Sequence, residues 1–174
     1  MAIHPLAILP ILLGMAGARP GGARLTVTSP AFPAGGAIPK RHTCDGGNVS
    51  PAVAWSGAPA ATKSFAVVVD DPDARNFTHW LIFDIPASAT SMPEGVRAGS
   101  VPKGAAEAAN DFGATGYGGP CPPSGTHRYS HRVYALDVAS LALPRATKKA
   151  FEAAAKGHVL AEGELVGTYR RAGR

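Results

Sequence analysis

Short apolar runs, each cut off by glycine, proline or carboxylates, set the rhythm of the chain. Arg24 to Thr28 (RLTVT) alternates with period two, as a half-buried first strand does. The polar stretch from Ser29 to Pro51 follows, and Val53 to Trp55 then offers a second short strand. Ser64 to Val69 (SFAVVV) is almost continuously apolar and β-branched, the pattern of a central strand covered on both faces. It is expected to stop at Asp70-Asp71-Pro72-Asp73, because carboxylates and a proline without an N–H oppose further pairing. His79 to Ile85 (HWLIFDI) is again extended and meets Pro86, and Arg128 to Val138 (RYSHRVYALDV) supplies another strand.

Between those two strands, Glu94 to Gly118 shows no period and reads as a long excursion over the surface. Only Ala146 to Lys156 (ATKKAFEAAAK), opened by Pro144 and closed by Gly157, carries a helix pattern. Glu162 to Tyr169 suits a last strand or a short helix. The pattern predicts a mostly β fold, a sandwich, with one or two short helices near the C-terminus.

Composition narrows this picture. A chain of 174 residues, 45% of them hydrophobic, fills one domain and is small for two. The 17 basic and 12 acidic residues give a net charge of +5 without a basic stripe or interleaved aromatics, which argues against a nucleic-acid platform. Met1 to Ala18 (MAIHPLAILPILLGMAGA) combines an apolar run with a small-x-small ending, which predicts a signal peptide cleaved after Ala18. The run is too short to span a bilayer. The protein is therefore expected to be periplasmic or secreted, and cytoplasmic if the leader reading fails. In an exported chain, two cysteines suggest a disulfide between Cys44 and Cys121. Two free thiols or half of a metal site are the rival readings.

The candidate chemistry lies at strand ends. His127, Tyr129 and His131 share one face of their strand, while Arg128, Ser130 and Arg132 share the other. Asp71 and Asp73 leave one strand just before His79 opens the next, so the acids and His79 belong at one end of a sheet if those strands are neighbours. Imidazoles, a phenol and loop amides are donors suited to phosphate or carboxylate. An aspartate among them can fix a histidine tautomer and favour its charged form. The segment GYGGPCPPSGTHRY, Gly116 to Tyr129, would bring close-approaching backbone and a stiff loop to the same place.

Asp71-Pro72-Asp73-Ala74 with Thr78-His79-Trp80, followed by Pro122-Pro123-Ser124-Gly125-Thr126-His127-Arg128-Tyr129, resembles the two signature segments of the phosphatidylethanolamine-binding protein family, in its bacterial Raf-kinase-inhibitor-like branch. His42-Thr43-Cys44-Asp45-Gly46 and Gly157 to Tyr169 extend the resemblance, which spans about Leu25 to Arg170 and makes residues 24–171 one domain. It implies an antiparallel β-sandwich and a non-enzymatic pocket for phosphate-type groups or a phospholipid head group. Carried over by position, that pocket comprises Asp71, His79, His127 and Tyr129, with Cys121 and Pro122 giving backbone and Asp73 bracing the loops with Arg128. It also implies regulation of a partner protein, a kinase or protease, and admits a homodimer; no cofactor is implied. Arg75 stands where the branch has proline, and His131 where it has a large aromatic, so loop rigidity and packing are expected to differ there.

Competing motifs are weaker. Asp111-Phe112-Gly113 has no glycine-rich nucleotide loop to accompany it. Ser124 near His127 lacks the strained elbow of a serine hydrolase. His79, His127, Asp71 and Cys121 include zinc-ligand types, but not at the spacing of a zinc module, and a disulfide would remove the sulfur. A metal-assisted or acid–base hydrolase using the same pocket of Asp71, His79, His127 and Tyr129 is the alternative enzyme reading, and a protease- or kinase-inhibiting module is the alternative binding reading.

Overall fold

A computed structural model describes residues 23–143 and 146–171; the expected leader and the helix-opening Pro144 lie outside the described residues. Among the described residues nine strands and one α-helix follow in order: β1 (Ala23–Arg24), β2 (Thr26–Thr28), β3 (Val53–Ser56), β4 (Ser64–Asp71), β5 (Phe77–Pro86), β6 (Ser91–Met92), β7 (Ala106–Glu107), β8 (Thr126–Leu136), α1 (Lys148–Ala155) and β9 (Val159–Arg170). A six-stranded sheet runs β1-β9-β8-β4-β5-β7, and a three-stranded sheet runs β2-β3-β6. The pairing is antiparallel except between β1 and β9. This is the mostly β sandwich that the strand pattern predicts.

The unbroken apolar run of β4 is explained by its position. All eight of its residues are buried, with β5 on one side and β8 on the other. Phe65, Val67 and Val69 join Val27, Val53, Trp55 and Met92 in the core between the sheets. Ala66 and Val68 face the opposite way, onto Phe151 and Ala155 of the helix. Each large apolar side chain so buried contributes about 1.5–3 kcal/mol.

Four details differ from the sequence pattern. The alternating Arg24 to Thr28 segment divides: Ala23 and Arg24 pair with β9, and Thr26 to Thr28 cross to pair with β3. β4 runs on through its carboxylates, with Asp70 paired to Thr78 and Ser130, and Asp71 to Phe77. Partners for the acids make this tolerable: Lys148 of α1 lies 2.8 Å from buried Asp70, and Asp71 caps the 3-10 turn Pro72–Ala74. Arg75 then takes φ 59°, a value closed to proline.

The 94–118 segment is not solely a surface excursion. Ala106–Glu107 adds an edge strand to β5, Glu107 accepts from Trp80 Nε1 at 2.8 Å, and Ala108 and Asn110 are buried. The final segment is strand, which leaves one C-terminal helix, N-capped by the Thr147 hydroxyl accepting from Ala150 N at 3.2 Å. Among the described residues no helix is long and apolar enough to cross a membrane.

Candidate functional site

The antiparallel register of β4 with β8, in which Asp70 faces Ser130, brings the end of β4 against the start of β8. There His127 Nδ1 meets Asp71 Oδ2 at 2.6 Å. The other Asp71 oxygen accepts from Asp73 N at 2.9 Å and Ala74 N at 3.0 Å. With both oxygens engaged, Asp71 fixes a proton on His127 Nδ1 and leaves Nε2 for another partner.

Tyr129, two residues on and on the same face, is fully buried; its hydroxyl lies near the Asp71 carboxylate and the Cys121 backbone, but among the described residues it makes no hydrogen bond of normal geometry. Burial first, and then the nearby Asp71 charge, push the phenol well above its ordinary range, so it remains a donor. An unsatisfied buried donor costs about 1–3 kcal/mol.

His79 sits in β5 with its Nδ1 2.7 Å from the Gly118 carbonyl, an acceptor only, so Nδ1 carries the proton. The imidazole is enclosed by rings: Tyr129 at 5.2 Å, Phe112 at 5.2 Å and Phe77 at 5.3 Å, all edge to face. Burial depresses its pKa, more than the Gly118 carbonyl and Asp71 raise it. At neutral pH His79 is therefore neutral, with Nε2 an acceptor.

The glycine-proline loop closes this corner. Cys44 and Cys121 form a disulfide with Cα atoms 5.4 Å apart, and Cys44 N donates to Pro120 O at 3.1 Å. Gly118 N donates to His79 O at 2.9 Å, Gly119 N to Asn48 Oδ1 at 2.6 Å, and Tyr117 Oη to His42 O at 2.8 Å. Gly119 is required by contact: a Cβ there would lie 2.4 Å from the His42 carbonyl oxygen. The loop is thus held to the 42–48 segment, and Pro122 beside it is buried.

Asp71, His79, His127 and Tyr129 come together as the strand ends suggest. Asp73 faces away into a two-pronged pair with Arg128, its Oδ1 accepting from Nη2 at 2.6 Å and its Oδ2 from Nε at 3.1 Å. Those bonds hold its carboxyl down to about 2. Among the described residues no group of three or more histidine, cysteine, aspartate or glutamate side chains is arranged to hold a metal ion, and the Cys121 sulfur of the zinc-type set is bonded to Cys44. His131 shares the Tyr129 face but lies in the core against Phe32, rings 5.3 Å apart. The Gly118 carbonyl comes from the glycine-proline loop that the sequence places here, whereas Phe112 and Asn110 escape sequence reasoning because they belong to the aperiodic segment, where the Asp-Phe-Gly triplet pointed to another context.

Comparison with known proteins agrees with this fold. Residues 28–170 match the family described as phosphatidylethanolamine-binding protein. A UPF0098 protein of Methanothermobacter thermautotrophicus is 50% identical over 144 residues, covering 81% of this chain and 95% of that protein. One from Aquifex aeolicus is 44% identical over 156 residues, covering 87% and 91%. The crystal structure of Escherichia coli YbcL, described as a new member of the mammalian PEBP family, superposes with a TM-score of 0.81 at 34% identity, covering 86% of this chain and 100% of that one. CT736 from Chlamydia trachomatis, described as a homologue of the family, gives 0.77 at 33% identity, covering 86% and 99%.

Proposed function

This chain belongs to the phosphatidylethanolamine-binding protein family, and on that premise we propose that it is a non-enzymatic binding protein whose pocket takes a phosphate-type group, free or on a small molecule or lipid head group. The observation that carries the reading is the buried Tyr129 hydroxyl, which among the described residues has no well-placed acceptor, beside the Asp71–His127 pair. An anion oxygen offsets the cost of that orphan donor, and His127 Nε2 and loop amides add further contacts. The Asp71 charge opposes an anion least when both its oxygens are already bonded to N–H groups.

His79 defines which anion fits. A neutral imidazole with its proton committed to Gly118 offers a lone pair, so the complementary ligand carries a proton of its own, as a hydrogen phosphate or monoester monoanion does. The reading is non-enzymatic because, among the described residues, no serine or thiol is hydrogen bonded to His127. The filled pocket then regulates a partner protein through the surrounding loops, in a periplasmic or secreted setting.

Calorimetric titration of phosphoethanolamine into wild type and Tyr129→Phe tests the reading. Saturable binding, weakened about tenfold in the variant, is the expected result. Equal affinities in the two proteins would remove Tyr129 from the site.

A further inference from the structure

The anion reading leaves the ring of Phe112 unused. At 51% exposure it is one of two large apolar side chains open to solvent among the described residues, Val159 being the other. A single exposed phenylalanine on a loop needs no special explanation. This one, however, is held from several directions.

Buried Asn110 accepts from Phe112 N at 3.0 Å and Ala114 N at 3.1 Å, and its amide donates to Gly116 O at 2.9 Å. Asp111 ties the preceding residue to β5: its carboxylate accepts from Thr78 N at 2.7 Å, and its amide donates to Thr78 O at 2.9 Å. Gly118 leaves room for the ring, because a Cβ there would lie 2.6 Å from two Phe112 ring carbons. The ring rests edge to face on Phe77, 4.8 Å away, and on His79, 5.2 Å away.

A fixed aromatic ring that packs on a pocket histidine and still meets water can touch whatever extends from an anion held at that histidine. Its ordering is complete before any ligand arrives, so contact with it adds affinity at little further entropic cost. We propose that Phe112, backed by Phe77, is a specificity-determining residue that selects anions bearing an apolar substituent over inorganic phosphate; this rests on the anion-pocket reading above. The preferred ligand class is a phosphate monoester of an apolar group, with Tyr129 and His127 taking the phosphate and the ring taking the substituent.

The test is calorimetric titration of the whole folded chain with inorganic phosphate, phenyl phosphate and butyl phosphate at about pH 6, where monoesters retain a proton. Wild type is expected to bind the esters roughly three- to tenfold tighter than phosphate. Phe112→Ala brings that ratio close to unity and leaves the phosphate affinity within about twofold, while Phe112→Tyr, which keeps the ring, retains the ratio. Preference for phenyl over butyl identifies ring stacking, and equal preference identifies plain apolar contact; both support the proposal. A wild-type ratio near one overturns it, as does equal weakening of all three probes in Phe112→Ala, which would make the ring only a support for His79. Failure of wild type to bind any probe removes the anion pocket itself, and the proposal with it.

Discussion

Replacing His131 with phenylalanine is expected to make the fold more resistant to acid. His131 is 1% exposed, its Nδ1 makes only a long contact of 3.3 Å with the Tyr129 carbonyl, and its Nε2, near the Leu165 backbone, makes no hydrogen bond of normal geometry among the described residues. Burial is the first cause that pulls its pKa from 6.5 down to about 4. Because the folded value lies below the unfolded one, the unfolded chain binds the extra proton between them. Stability is therefore complete above about 6.5 and is lost as pH falls toward 4, in all about 3 kcal/mol. Phenylalanine removes both the titration and the orphan nitrogen, which adds about 1 kcal/mol at neutral pH, and it keeps the ring contact with Phe32. Urea unfolding of both proteins at several pH values between about 7.5 and 4.5 measures this. The same loss of stability in wild type and His131→Phe would refute the assignment.

Three other outcomes follow from named contacts. Tyr129→Phe removes a buried hydroxyl without a partner, so its midpoint in urea should equal or exceed that of wild type even as phosphate binding falls. At about pH 6, where phosphate monoesters retain a proton, they should bind about tenfold more tightly than sulfate, which has no proton for His79; competition calorimetry should show the gap narrowing as pH falls through the depressed His79 value. Replacing Cys44 and Cys121 together by alanine opens a crosslink spanning 77 residues and should cost about 4 kcal/mol in urea unfolding, with weaker phosphate binding because the loop bearing Gly118 is released.

The fold was legible wherever periodicity and burial coincide. The unbroken Ser64 to Val69 run declares a strand with two covered faces, and the 148–155 helix shows in its spacing. The site was legible because its residues fall at strand ends and at fixed spacing within β8. Other features depend on contacts that no local pattern carries. Asp70 extends its strand with Lys148 reaching it from a helix far along the chain. The 24–28 segment divides because two different sheets compete for it. Charge state was hidden too: His79 looks like a cationic anion-binder in the sequence, but a cage of rings and one carbonyl make it a neutral acceptor.

The most direct test follows the imidazole nitrogens of His79 and His127 by nitrogen-15 NMR while phosphate is added at about pH 6. The structure predicts that the Nε2 signals of both residues shift together along one saturable curve, while the Nδ1 protons stay bonded to Gly118 and Asp71. Signals that remain still throughout the titration, or that move only for the half-buried His158, would contradict the claim that these groups enclose an anion.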